Sequence, residues 1–161
     1  MQQTKTKNLK KILIYSITGG VLFLAAVVMI IVINSKPATK NADVVIRKSE
    51  ITDTAKFYPV SVDGEKMEVI AMRAGDGSIR TAFNTCQVCF SSGKGYYKAQ
   101  GNTLTCQNCG NQFTADQVAL QKGGCNPVPI FNDERTEDAD TITISHQRLS
   151  EGKSLFADWK N

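Results

Sequence analysis

Histidine is nearly absent from this 161-residue chain, which has one histidine, one tryptophan and an aromatic content of 7%. The sequence also lacks a phosphate-binding loop, a Ser–His–Asp set and a pair of catalytic carboxylates, so the common hydrolytic and phosphoryl-transfer sites have no candidate residues. A lone histidine is more often structural or solvated than a ligand, and we expect this of His146. The sequence therefore favours a binding or redox protein over an enzyme.

The part of the chain that begins at residue 41 also lacks a surplus of positive charge. The formal net charge is +4, but six lysines lie before residue 41, and the rest of the chain carries 13 basic and 15 acidic side chains. That balance does not support a basic groove for nucleic acid. We therefore expect no nucleic-acid partner.

The sequence does have one long apolar run, which covers residues 12–33 without a charged side chain. A helix of about 22 residues rises about 33 Å, which is enough to cross a hydrocarbon core of about 30 Å. The run is longer than the apolar region of a secretory signal, and residues 32–36 offer no clean small-x-small cleavage site. The sequence therefore predicts a retained transmembrane helix, with a cleaved signal peptide as the alternative.

The lysines on either side of this run predict its orientation. Four precede the run and two follow it, so the positive-inside rule places the amino terminus in the cytoplasm. The expected location is the cell membrane, spanned once. The predicted order is a cytoplasmic basic tail (residues 1–11), a transmembrane anchor (12–33), a polar tether (34–42) and an extracytoplasmic cysteine-rich domain (43–161).

Short alternating segments separated by turn signals predict that this domain is mainly β, a small α+β fold. Asp63-Gly64 is a strong hairpin signal, and Gly75-Asp76-Gly77 marks the next turn. Together they predict a β-meander that leads the chain to Cys86. The predicted strands cover residues 43–47, 57–62, 67–73, 78–84, 96–99, 103–105 and 141–145. Short helices are predicted over 114–120 and, closing the chain, 150–160; residues 126–129 are predicted to be an extended turn.

The clearest chemical signal comes from five cysteines, at Cys86, Cys89, Cys106, Cys109 and Cys125. The first four form two CxxC pairs separated by sixteen residues, a spacing typical of zinc ribbons and related four-thiolate sites. Two thiolates spaced in this way can bind one ion on a tight turn, here called a knuckle. Two knuckles that face each other give a tetrahedral site suited to zinc or iron. Gly110 suits the second knuckle, because glycine accepts a positive φ.

Cys125 adds a fifth thiol, which a four-thiolate site does not need. It lies in Gly123-Gly124-Cys125-Asn126-Pro127, whose glycines allow the backbone to approach a partner closely. Three interpretations are open: a ligand in place of another thiolate, a part of a second site or redox step, or a small buried apolar residue. Disulfides, or a thiol–disulfide oxidoreductase that uses one CxxC pair, are the alternatives to a metal site.

Residues 80–129 carry a pattern more specific than cysteine spacing. They contain RTAFNTCQVC, then GY, CQNCG, Phe113 and GGCNP. In this they resemble the membrane iron–sulfur-containing FtrD-like proteins, which are found with bacterial ferrous-iron uptake systems. The resemblance extends over most of residues 45–160. It implies an extracytoplasmic iron or iron–sulfur centre on all five cysteines, used in electron transfer or iron handling, with an iron-transport or redox membrane protein as partner.

A binding module with a structural zinc-ribbon-like site is the main alternative function, with zinc as the alternative metal. Other residues are given structural roles: we expect Tyr96 and Tyr97 to pack over the site, and Met67 and Met72 to lie in the core. A run of acidic side chains is expected to form a solvated loop, with attraction of ferrous ions or a basic partner as the alternative. That run consists of Asp133, Glu134, Glu137, Asp138 and Asp140.

Overall fold

A computed structural model describes residues 39–120 and 122–161. The strands are β1 (Thr39–Lys40), β2 (Val44–Arg47), β3 (Lys56–Val62), β4 (Glu65–Arg73), β5 (Ile79–Cys86), β6 (Tyr97–Gln100), β7 (Thr103–Cys106), β8 (Gln112–Thr114), β9 (Pro127–Ile130), β10 (Thr136–Glu137) and β11 (Thr141–Ile144). The α-helix of this part of the chain is α1 (His146–Glu151). Short 3₁₀-helices occupy Lys48–Glu50, Phe90–Ser92, Ala115–Gln117, Asn132–Glu134 and Lys153–Phe156.

The predicted tail and anchor, and most of the predicted tether, lie outside the described residues. Among the residues that are described, no helix is long and apolar enough to cross a bilayer. The strands and the short helix near the C-terminal end confirm that this part of the chain is mainly β.

The largest sheet contains five strands in the order β1-β3-β4-β5-β9. Strands β3, β4 and β5 are consecutive and antiparallel, which confirms the predicted meander. At the first turn Asp63 and Gly64 have φ values of +50° and +88°, as a tight hairpin requires, and Val62 pairs with Glu65. The meander ends at Cys86, so the sheet itself positions the first cysteine.

Both faces of this sheet are buried, which the sequence did not indicate for β4. The predicted alternation of buried and exposed residues holds at the start of β4, but residues 69–72 are all buried. Val69 packs into one hydrophobic cluster and Ile70 into a second cluster on the opposite face. Full burial of such a side chain contributes about 1.5–3 kcal/mol. The sheet is therefore the middle of three layers.

The two faces of the large sheet pack against different outer layers, and only one of the two resulting clusters contains cysteine. One face is covered by the sheet β10-β11-β2 and by α1, which contribute Ile46, Ile142 and Leu149 to a cluster without cysteine. The other face is covered by the sheet β6-β7-β8, and its cluster contains Cys86, Cys89 and Cys106. The cysteines therefore lie where the small sheet meets the large one.

The helix predicted over residues 114–120 is wrong in extent. A helical turn does begin after Thr114, whose backbone amide donates a hydrogen bond to Gln117 Oε1 at 3.0 Å. The turn is a 3₁₀-helix that stops at Gln117, because Val118 is extended and fully buried and Ala119 has a φ of +53°. Burial of Val118 thus overrides the local helix preference.

The closing helix predicted over residues 150–160 is also misplaced. The α-helix starts earlier, after Ser145, whose hydroxyl accepts a hydrogen bond from the Arg148 amide at 3.2 Å. A separate 3₁₀-helix follows Gly152. Phe156 is buried, and Leu155 and Trp159 pack against the same cluster.

Residues 126–129 form no simple turn, since Pro127–Ile130 is strand β9. It pairs with β5 and places Pro127 opposite Cys86. As an edge strand it tolerates its two prolines, Pro127 and Pro129, which lack an N–H for pairing. This strand brings the loop of Cys125 beside the first knuckle.

Candidate metal centre

The first knuckle begins at the last residue of β5. The backbone amide of Cys89 donates to Cys86 Sγ at 3.4 Å, and the Val88 amide also faces that sulfur. Gly95 closes the knuckle from outside, and its carbonyl accepts a hydrogen bond from the Cys86 amide at 2.6 Å. A Cβ atom on Gly95 would lie 2.1 Å from the carbonyl oxygen of Cys89. This glycine is therefore required by a close backbone approach.

The second knuckle repeats the plan at the end of β7. The amides of Asn108 and Cys109 face the sulfur of Cys106, as their counterparts do in the first knuckle. Gly110 donates from its amide to the Cys106 carbonyl at 3.0 Å and has a φ of +75°, which confirms the conformation predicted for it. Amides that point at sulfur stabilise a thiolate or a metal–thiolate bond.

The loop of Cys125 is held against the first knuckle by Gln87. The Gln87 side chain accepts a hydrogen bond from the Gly123 amide at 2.7 Å and donates to the Gly123 carbonyl at 3.4 Å. The Gln87 amide donates to the Asn126 carbonyl at 3.2 Å. Gly123 and Gly124 have φ values of +113° and +66°, which residues with a side chain rarely adopt. Glycine thus allows the sharp path that carries Cys125 inward.

The structure brings all five sulfurs together in two overlapping groups. The sulfurs of Cys86, Cys89 and Cys106 lie within 4.8 Å of one another, and so do those of Cys89, Cys109 and Cys125. The first group is buried, whereas Cys109 is exposed and Cys125 is half-buried. All five thiols are free of disulfide bonds. Their role as metal ligands stays a prediction.

Burial, hydrogen bonds and the neighbouring thiols together shift the pKa values of the cysteines. Burial raises the pKa of Cys106 to about 12. The hydrogen bond with Cys109, followed by burial and the neighbouring thiol charges, raises the pKa of Cys125 to about 12. The Asn111 amide holds the pKa of Cys109 below its usual value. For Cys86 burial acts upward, but the Tyr97 hydroxyl and the knuckle amides outweigh it and lower the pKa. Without a cation, the cluster therefore retains protons.

Tyr97 packs over the cysteines as predicted, and its hydroxyl donates a hydrogen bond to the carbonyl oxygen of Cys125. The ring is buried and meets Phe113 edge to face, with 6.1 Å between the ring centroids. Burial raises the pKa of Tyr97, so the hydroxyl stays protonated as a donor. Tyr96 instead lies under the ammonium group of Lys160, with 5.2 Å from Nζ to the ring centroid.

Asn84 is a supporting residue to which the sequence gave no role. It is fully buried, and its Oδ1 accepts a hydrogen bond from the Tyr97 amide at 2.7 Å. Its Nδ2 donates to Glu68 Oε2 at 2.6 Å, and its carbonyl accepts from the Trp159 indole at 2.8 Å. A polar amide residue two positions before the first cysteine was the available signal. Gln87, inside the first CxxC, is a second supporting residue with no role predicted from the sequence.

The remaining candidates lie away from the centre. His146 belongs to neither sulfur group and starts α1. Met67 and Met72 are core residues, as expected. In the acidic run, Glu137 pairs with Lys48 at 2.7 Å, and a 3₁₀-helix and β10 give the segment regular structure. This ion pair does not support the alternative in which the acidic run attracts ferrous ions.

Comparison with known proteins agrees with this arrangement. A model of the family described as membrane iron-sulfur containing protein FtrD-like matches residues 51–156, which is more than half of the chain and includes every cysteine. Comparisons with curated proteins and with solved structures found no significant match. The family match confirms the resemblance predicted from the cysteine motifs. The chain therefore belongs to the FtrD-like family of membrane iron-sulfur containing proteins.

Proposed function

We propose that this protein is a membrane-anchored, extracytoplasmic metal-binding protein. Its cysteines would hold iron or an iron–sulfur cluster, for electron transfer or iron handling beside an iron-uptake system. The observation that carries the proposal is the convergence of five sulfurs from three separate loops. The family description supplies the association with membranes and iron–sulfur centres.

The donor set fits a metal ion bound directly by thiolates. Tetrahedral thiolate sites have metal–sulfur distances near 2.3 Å, which places neighbouring sulfurs about 3.8 Å apart. Sulfurs that already lie within 4.8 Å of one another need only small side-chain adjustments to reach that spacing. A bound iron centre would supply one-electron chemistry, while the knuckle amides and the burial of Cys86, Cys89 and Cys106 would tune it.

The proposed topology rests on the residues before the folded part. Residues 12–33 would anchor the chain and place residues 43–161 outside the cytoplasm. Reporter fusions at the C-terminal end test this: an enzyme active only outside the cytoplasm should be active, and its cytoplasmic counterpart should be silent. The reverse pattern would contradict the proposed orientation.

A structural zinc site is the second candidate, because the knuckles join two sheets. Cys86 ends β5 of the large sheet, and Cys106 ends β7 of the small one. A metal between them would fasten the small sheet in place. Against a purely structural role, the cysteine-free face of the large sheet has an extensive core of its own.

Anaerobic purification of the full-length chain in detergent distinguishes the candidates. We expect iron in elemental analysis, with visible thiolate-to-iron charge-transfer absorption that changes on reduction. Stoichiometric zinc without visible absorption would support the structural candidate and contradict the iron proposal. Single Cys→Ser variants at both pairs add a second test: loss of metal from members of both pairs indicates a shared site, whereas an effect confined to one pair indicates dithiol chemistry.

A further inference from the structure

The five sulfurs do not surround one point equally. Cys89 belongs to both sulfur groups, while Cys86 and Cys106 belong only to the buried group and Cys109 and Cys125 only to the outer group. Three mutually close sulfurs form one face of a metal coordination shell. Two such faces that share one corner are the arrangement expected when a single sulfur contacts two cations.

The lack of basic residues near the cysteines in the sequence also favours two bound cations over one. Residues 84–93, 99–121 and 123–132 contain no lysine, arginine or histidine. The nearest basic residue in sequence to Cys125 is Lys122, whose ammonium group is 4.0 Å from Glu134 and lies over the Phe131 ring. Five thiolates would therefore depend on the bound metal for neutralisation. One divalent cation bound by four thiolates would leave two negative charges and one unused thiol, whereas two cations bound by all five thiolates would leave one negative charge.

We propose that the five cysteines form a two-ion centre in which the Cys89 thiolate is shared. The inner ion would be held by Cys86, Cys89 and Cys106, and the outer ion by Cys89, Cys109 and Cys125. Each ion has three protein thiolates and one remaining position, and the outer ion lies on the exposed side, next to Cys109. This inference rests on the proposed metal-binding function and assigns its nuclearity and its shared ligand.

Cadmium-113 is a suitable probe, because it binds thiolates, has a nuclear spin and reports on sulfur coordination. The full-length chain is prepared metal-free in detergent, titrated with cadmium-113 under anaerobic conditions and studied by NMR, with elemental analysis of the product. We expect two ions per chain and two cadmium signals. A scalar coupling between the signals is expected, because they share the Cys89 sulfur.

Three variants identify the shared ligand. Cys86→Ser should shift the inner signal mainly, and Cys125→Ser should shift the outer signal mainly. Cys89→Ser should shift or remove both signals and abolish the coupling. If Cys89→Ser does not fold, the coupling in the unaltered chain still decides the question.

The outcomes separate this inference from the function on which it rests. One cadmium ion per chain, or two signals without coupling, would overturn the two-ion centre and leave the metal-binding proposal standing. Four irons with four acid-labile sulfides in the anaerobically purified chain would also overturn it. A chain that binds no thiophilic metal would overturn both.

Discussion

The side chain of Gln87 accepts a hydrogen bond from the backbone amide of Gly123 over 2.7 Å, and so joins the first knuckle to the loop of Cys125. Gln107 occupies the equivalent position in the second CxxC, but its side chain donates locally, to the Thr105 carbonyl at 2.9 Å. The two glutamines therefore occupy equivalent positions in their CxxC pairs but make different contacts: Gln87 binds another loop, and Gln107 binds the strand that precedes it.

Gln87→Ala should loosen the Cys125 loop and weaken metal binding. A lost hydrogen bond of this kind costs about 0.5–1.5 kcal/mol, which corresponds to roughly 2- to 10-fold in affinity. Competition with a chelator of known affinity measures the effect. Gln107→Ala is the matched control and should change the affinity less; equal effects of the two substitutions would contradict the role assigned to Gln87.

Tyr97→Phe should keep the ring packing against Phe113 but remove the hydrogen bond to the Cys125 carbonyl. We expect a loss of about 0.5–1.5 kcal/mol in the free energy of unfolding of the metal-free chain. Denaturant titration followed by Trp159 fluorescence measures it, since the indole donates to Asn84 beside Tyr97. Tyr96→Phe is the control, and a larger loss there would argue against the assignment.

Gly95→Ala should damage the first knuckle, because the new Cβ would meet the Cys89 carbonyl at 2.1 Å. Forced overpacking costs typically 1–3 kcal/mol, and backbone atoms cannot relax as side chains can. Gly101→Ala meets no atom within 4 Å, but its φ of +58° adds strain of about 1 kcal/mol. Thermal unfolding should show the larger loss for Gly95→Ala, and a smaller loss than for Gly101→Ala would refute the close approach.

Stability should fall in acid through Glu137. The hydrogen bond from Lys48, with the nearby Arg135 guanidinium, holds the pKa of Glu137 below its usual value. A lowered folded-state pKa means that the contribution is present above the unfolded-state pKa and is lost as pH falls through the folded-state pKa. The free energy of unfolding should therefore decline below about pH 5.

Glu137→Gln tests this pH dependence by removing the titrating group. It should lower stability at neutral pH by roughly 0.5–1 kcal/mol, because Glu137 is partly exposed, and it should flatten the acid decline. The Arg135 side chain, 3% exposed, is left without this carboxylate partner. Glu151→Gln, at a more exposed ion pair with Arg148, should change little. An acid decline that is unchanged in Glu137→Gln would contradict the explanation.

The parts of the fold that depend on neighbouring residues could be predicted from the sequence. The turn at Asp63-Gly64 sets its own hairpin, and Gly110 shapes its own knuckle. Strand β9 could not be predicted, because it forms only by pairing with β5, about 45 residues earlier in the chain. Local preference also failed at Val118, where burial in the second cluster stops a helix that residues 114–117 begin.

The candidate site could likewise be predicted only where local sequence determines it. The spacing of the CxxC pairs predicts two knuckles, and glycines predict that the loop of Cys125 can approach a partner. The sharing of Cys89 between two sulfur groups follows from how three loops meet, and the sequence contains no signal for it. The supporting hydrogen bonds of Asn84 and Gln87 likewise join residues that are 13 and 36 positions apart in the sequence.

If the five cysteines jointly bind metal, the metal content of the protein must depend on them. The full-length chain, purified anaerobically in detergent, is compared by elemental analysis with a variant in which all five cysteines are serine. We expect at least one thiophilic metal ion per unaltered chain, with thiolate-to-metal charge-transfer absorption, and neither in the variant. A metal-free unaltered chain, or metal retained undiminished by the variant, would contradict this joint binding.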